Sequence, residues 1–178
     1  MTHASSRIAE LRSVAFFVPD LDLAEDFFTR VWHLAVVERT PQCLYLRATG
    51  ADHHVLALHL RPGPAAIRCV TLRARSLAAL EEVATAAVAA GGKLLKPMGP
   101  ALDAAGGTSV QIMDADGRVF EVVHGDGLHQ DVAQDADRPT RLAHVVLNSH
   151  RVEHTRAFLE QALDFSLADR TRIMAFMR

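Results

Sequence analysis

At 178 residues the chain is long enough for one full hydrophobic core and part of a second. Hydrophobic residues at 49% and charged residues at 22% are close to globular averages, with aromatics sparse at 6%. A formal net charge of -2, from 19 basic and 21 acidic residues with no basic run, argues against a nucleic-acid partner. Two cysteines cannot make a disulfide framework, and the start MTHASSRIAELRS has no apolar stretch of signal-peptide length. These features predict a reduced, cytoplasmic protein without a membrane span.

In chain order, three segments share one plan: a strand, a helix opened by a polar residue, then shorter strands. The first runs from LRSVAFFVPD into LDLAEDFFTRVW, with Ala24, Phe27, Phe28 and Val31 at helical spacing and Asp22 and Glu25 resembling a capping box. The second runs from IRCVTLRAR into SLAALEEVATAAVAAGG. Here Ser76 is the predicted N-cap, Leu80, Val83 and Ala87 the buried stripe, and Gly91 the stop. The third runs from RLAHVVLNS into RVEHTRAFLEQAL, with Val152, Thr155, Phe158, Leu159 and Ala162 on one side. Period-two alternation in RLAHVVLNS puts Leu142, His144, Val146 and Asn148 on one face of a strand.

Between the helices, QCLYLRA, HHVLALHL, TSVQIMD and RVFEVVH read as strands, and MDADGRV as a hairpin turn. The stretch GDGLHQDVAQDADRP, with four aspartates and little apolar periodicity, reads as a solvated linker.

An internal repeat sets the architecture. A shift of 131 lays Ser13 on His144 and Phe27 on Phe158, with six identities over residues 11–47: Leu11, Val14, Phe27, Arg39, Thr40 and Arg47. A shift of 56 lays Ser13 on Cys69 and Leu21 on Leu77. The predicted fold class is α+β, built of paired βαβββ units. Residues 7–125 form one module of two units, 126–138 a linker, and 139–178 the beginning of a second, incomplete module. RIMAFMR would leave a strand edge with Met174 and Phe176 uncovered, so a continuation past Arg178 is expected.

Paired βαβββ units closed by DADGRVFEVV resemble the vicinal oxygen chelate superfamily, the glyoxalase, bleomycin-resistance and extradiol dioxygenase group. Two successive modules and the strand ADHHVLALHL are most similar to the amino-terminal portion of type I extradiol ring-cleaving dioxygenases. The resemblance implies a first module without metal and a second that holds Fe(II), sometimes Mn(II), through two histidines and a glutamate. By position the first histidine is His144. The second ligand and the glutamate fall at about residues 200 and 252 by repeat arithmetic, and an acid–base histidine at about 184 or 185, the counterparts of His53 and His54. Two imidazoles and one carboxylate on one face of an octahedron leave the other face open for a catecholate and dioxygen together.

In the first module the equivalent positions are Ser13, Cys69 and Glu121. Serine is a poor iron ligand and a lone buried thiol is usually a packing residue, so Glu121 is only a weaker candidate ligand. No catalytic residue is assigned within the chain, and it is consistent with binding no metal by itself. The competing reading of His144 is a core histidine satisfied by backbone. His53 and His54 are expected on opposite faces of one strand, His54 structural beside Leu56, Leu58 and Leu60. His53 and His59 are too far apart along that strand to chelate one ion. A calcium loop around Asp114 and Asp116 fails, because Ile112 and Val123 would occupy positions that need oxygen.

Two functions follow from the resemblance. One is an Fe(II)-dependent extradiol dioxygenase acting on a small aromatic diol with O2, as a homo-oligomer. The other is a non-catalytic single module that binds a small ligand or dimerises. In a variant of the second, the segment 139–178 pairs with a second copy and carries His144 toward that copy's Cys69 and Glu121.

Overall fold

The computed structural model describes residues 6–178. The first unit comprises β1 (Ile8–Val18), α1 (Leu21–Arg30), β2 (Ala35–Arg39), β3 (Cys43–Arg47) and β4 (Leu56–Leu60). The second comprises β5 (Ala66–Ala74), α2 (Leu77–Ala89), β6 (Lys93–Pro100), β7 (Thr108–Met113) and β8 (Val119–His124). Their eight strands form one sheet in the order β2-β3-β4-β1-β5-β8-β7-β6. β1 runs parallel to β4, β5 runs parallel to β8, and β1 and β5 pair antiparallel at the centre. Each half repeats the other's order about the β1/β5 seam, as the expected paired βαβββ units require.

Alternation along the strands divides the sheet into two faces. Leu44, Leu46, Leu56 and Leu58 pack under α1 with Leu21, Ala24 and Phe28. Val70, Leu72, Val110, Ile112, Phe120 and Val122 pack under α2 with Leu80, Val83 and Ala87. Ala15, Tyr45, Ala57 and Cys69 form a smaller cluster on the face away from the helices.

Ser76 caps α2 by accepting from the Ala79 amide at 3.2 Å, and Gly91 stops it in the left-handed region at φ 82°. At α1 the cap differs from the expectation. Asp20 accepts from the Leu23 amide at 2.9 Å, while Asp22 and Glu25 both pair with Arg39 instead of closing a capping box. Phe27 and Val31 also depart from the buried stripe, since α1 turns only Leu21, Ala24 and Phe28 to the sheet. MDADGRV forms the β7/β8 turn, with Gly117 at φ 85° and its amide donating to the Asp114 carbonyl at 3.1 Å.

The third segment contains α3 (Val152–Leu163), β9 (Leu167–Arg170) and β10 (Ala175–Met177), the last two forming a separate two-stranded sheet. The repeat extends to single hydrogen bonds. The Thr40 amide donates to the Cys43 carbonyl at 2.8 Å, and 131 residues later the Thr171 amide donates to the Met174 carbonyl at 2.9 Å. Arg39 pairs with Asp22 across α1, and Arg170 pairs with Glu153 across α3. α3 docks on α2, burying Phe158, Leu159, Ala162 and Leu163 in the core of the second unit.

The segment read as a solvated linker is pinned at its start. Asp126 is buried between Arg12 and Arg73, and the Gly127 amide donates to the Ala105 carbonyl at 2.8 Å. Arg47 holds Asp131 at 3.1 Å. Farther along, Thr49 and Gly50 donate to the carbonyls of Pro139 and Thr140.

Candidate metal centre

Ser13 stands opposite Thr71 in the β1/β5 ladder, and Thr71 beside Glu121 in the β5/β8 ladder. Cys69, two residues along β5 from Thr71, pairs with Ala15. The topology therefore gathers Ser13, Cys69 and Glu121 on one face, and all three are buried.

Their surroundings do not fit a metal. Arg12, fully buried, donates from Nη1 to the Ser13 hydroxyl at 2.8 Å and to Asp103 at 2.8 Å. Its Nε donates to Asp126 at 3.2 Å. A guanidinium thus stands against the first ligand position. Burial, reinforced by the charge of Glu121, pushes the Cys69 thiol up to about 11, so its sulfur stays protonated. Glu121 accepts from the Ser109 hydroxyl at 2.8 Å. The glycine-flanked loop of residues 101–107 closes over this face: Ala104 packs on the Ala15, Tyr45, Ala57 and Cys69 cluster. Burial alone would raise the Asp103 carboxyl, but contacts with His54 and Arg12 outweigh it and hold it well below the usual carboxylate range.

His53 and His54 lie before β4 rather than within it, and they meet. Their Nδ1 atoms are 3.0 Å apart, which corrects the opposite-face expectation. His54 Nε2 is 2.8 Å from Arg12 Nη1. The same Nε2 lies 3.3 Å from Asp103 Oδ2, so it stands between the guanidinium and the carboxylate. Burial pushes His54 down to about 4. His54 also packs its ring 4.8 Å from that of Tyr45, away from the Leu56 and Leu58 face. The structural role expected for His54 holds, with different neighbours. His59 lies elsewhere, its Nδ1 3.0 Å from the Cys43 sulfur and its Nε2 accepting from Arg68 at 2.8 Å.

His144 is exposed. The stretch 141–149 is extended but joins neither sheet, and Leu142, Val145 and Leu147 turn to the cores while Val146 is 60% exposed. The alternation slips by one at Ala143, so Leu142 and His144 do not share a face, and the core-histidine reading is overturned. Among the described residues no group of three or more His, Cys, Asp or Glu side chains could hold a metal ion. His144 therefore has no second or third ligand there, and no chemistry is derived through a metal at this point.

No family model matches the chain, and no curated protein matches it. Solved structures do. The Mn(II)-bound glyoxalase from Novosphingobium aromaticivorans superposes with a TM-score of 0.90 at 28% identity, over 98% of this chain and 59% of that one. Homoprotocatechuate 2,3-dioxygenase from Brevibacterium fuscum superposes, in its E323L mutant, with a TM-score of 0.83 at 20% identity, over 99% of this chain and 52% of that one. The chain has the vicinal oxygen chelate fold. It spans between half and two thirds of the length of these neighbours.

Sequence reasoning identified the three equivalent positions but missed Arg12, Asp103 and Asp126. One signal was available: an arginine in the interior of a strand bounded by Leu11 and Val14 needs a carboxylate partner if buried. An aspartate in the glycine-flanked loop ALDAAGG was the candidate. No helix among the described residues is long and apolar enough to cross a membrane.

Proposed function

We propose that this chain is the amino-terminal portion of an extradiol ring-cleaving dioxygenase of catechol-type aromatics that uses Fe(II) and O2 in the cytoplasm. The observation that carries this reading is the third segment. Its helix, hairpin turn and ion pair repeat those of the first unit at an offset of 131, which makes His144 the counterpart of Ser13. The match to a catechol-type dioxygenase over nearly the whole chain supports it. His144 is the first metal ligand, with a second histidine and a glutamate at about residues 200 and 252 by repeat arithmetic. Residues 7–125 serve as the metal-free module and 126–138 as the connection. Within this chain the role of the first module is to seat α3 and so fix the extended segment bearing His144.

The test begins with the reading frame past Arg178. A continuation with histidine and glutamate near those positions, expressed whole, is expected to bind about one iron per chain and to consume oxygen with homoprotocatechuate or another catechol. A stop codon directly after Arg178, or a whole product without iron or ring cleavage, sinks the reading.

A second reading is favoured by the higher identity and TM-score of the Mn(II)-bound glyoxalase. On it, the same His144 serves a Mn(II) centre with no oxygen chemistry. Manganese rather than iron in the whole product, with no oxygen uptake on any catechol, selects it.

A further inference from the structure

The pairing of α2 with α3 joins the second helix of the first module to the first helix of the next. At that contact the Phe158 ring lies on Gly92, just past the end of α2, where a Cβ would come within 2.6 Å of Phe158 Cε2. Phe158 and Ala162 of α3 share one buried core with Val83 and Ala87 of α2. Moved back by 131, Phe158 becomes Phe27 and Ala162 becomes Val31, which are 47% and 61% exposed. α1 therefore carries the apolar pair that α3 buries, and presents it to solvent. The pair is held firmly, since Phe28, packed on the core of the first unit, meets Phe27 edge-on at 5.1 Å and exposed Trp32 at 5.9 Å.

We propose that this face of α1 receives the second helix of the second module, at about residues 208–220 by repeat arithmetic. The inference rests on the continuation past Arg178 proposed above. A two-fold relation between the modules makes their contact isologous: where the second helix of one meets the first helix of the other, the reverse contact forms as well. A head-to-tail relation would leave α1 bare. Phe27 and Val31 select the two-fold, because a helix face that stayed in water would gain nothing from a large apolar pair. The counterparts of Val83, Ala87 and Gly92 then fall at about residues 214, 218 and 223. Phe27 has the size of Phe158, so its ring needs a glycine at about residue 223 to seat as Phe158 does on Gly92. Val31 is larger than Ala162, and the helix that meets it must be small-sided there.

Amide exchange in α1 tests this apart from metal and activity. In the whole product the α1 amides should exchange more slowly than in the 178-residue chain, by about tenfold or more. Phe27→Glu should abolish that difference, while the circular dichroism of the 178-residue chain stays that of the parent. Val31→Lys should do the same if Phe27→Glu disturbs folding. Equal exchange in the two proteins overturns the proposal, and so does a bulky residue at about residue 223. Protection that grows with protein concentration assigns the face to a second copy and overturns it too. A stop codon directly after Arg178 sinks this proposal together with the dioxygenase reading. A whole product that lacks iron and ring cleavage but protects α1 sinks that reading alone and supports the docking.

Discussion

The Arg12 guanidinium lies 2.8 Å from the Ser13 hydroxyl, fully buried, at the position whose counterpart in the third segment is His144. The first module thus sets a buried cation against the serine that stands where the third segment carries an imidazole. Arg12→Met removes the charge that Asp103 and Asp126 share, leaving Asp103 poorly compensated. Because Asp103 keeps some solvent contact at 17% exposure, the loss belongs at the lower end of the range for broken buried pairs, about 3 kcal/mol. Urea midpoints measure it, and a second change, Asp103→Leu, should restore part of the loss. An unchanged midpoint in Arg12→Met would refute the role given to this cluster.

Acid sensitivity follows from the imidazoles. Burial pushes both His54 and His59 down to about 4, whereas in the unfolded chain they bind protons from about 6.5. Their stabilising contribution is therefore complete above about pH 6.5 and is lost as pH falls toward 4. Asp103, depressed in the fold, adds a further loss below about pH 4, where the unfolded carboxylate protonates. Melting temperature should decline from pH 7 to pH 4.5, and His54→Asn should flatten that decline. A flat profile in the parent contradicts the neutral, buried state of these rings.

Gly92 is where α3 closes on the second unit. A Cβ there would come within 2.6 Å of both the Met113 carbonyl oxygen and Phe158 Cε2, and within 2.9 Å of the Ala87 carbonyl oxygen. Two of the three are backbone atoms that cannot swing aside. Gly92→Ala should cost about 1–3 kcal/mol, as overpacking does, and should raise amide exchange in α3. Retained protection of Phe158 and Leu159 would mean that the helix does not seat as described.

His144→Ala should change the stability of this chain by less than about 0.5 kcal/mol, the usual range for exposed sites. In a longer metal-binding product the same substitution should abolish metal content measured by elemental analysis. A large stability loss in the 178-residue chain would restore the core-histidine reading instead.

Where a periodic pattern met a local signal, the sequence was readable. Ser76, Gly91 and the Asp114–Gly117 turn all act as their residue types suggest, and the offset of 131 carried α1 onto α3 in frame. Periodicity could not tell which apolar residues of α1 face the sheet, because the helix has two apolar sides. Phe27 belongs to the second. The histidine pair was misjudged because β4 begins only at Leu56, leaving His53 and His54 in a loop where alternation does not apply. Arg12 was missed because burial of a charge depends on partners 91 and 114 residues away.

The hairpin of β9 and β10 has seven residues in strands, four and three, and joins no larger sheet. Two-stranded hairpins of this size are marginal in water, and its turn bonds and its link to Glu153 are all local. Of the hairpin only Met177 packs on the core that α3 shares with the second unit. A protease that cuts after arginine should therefore reach Arg170 and Arg172 well before the α3 backbone, trimming the chain to a folded product that keeps the helix and loses the hairpin.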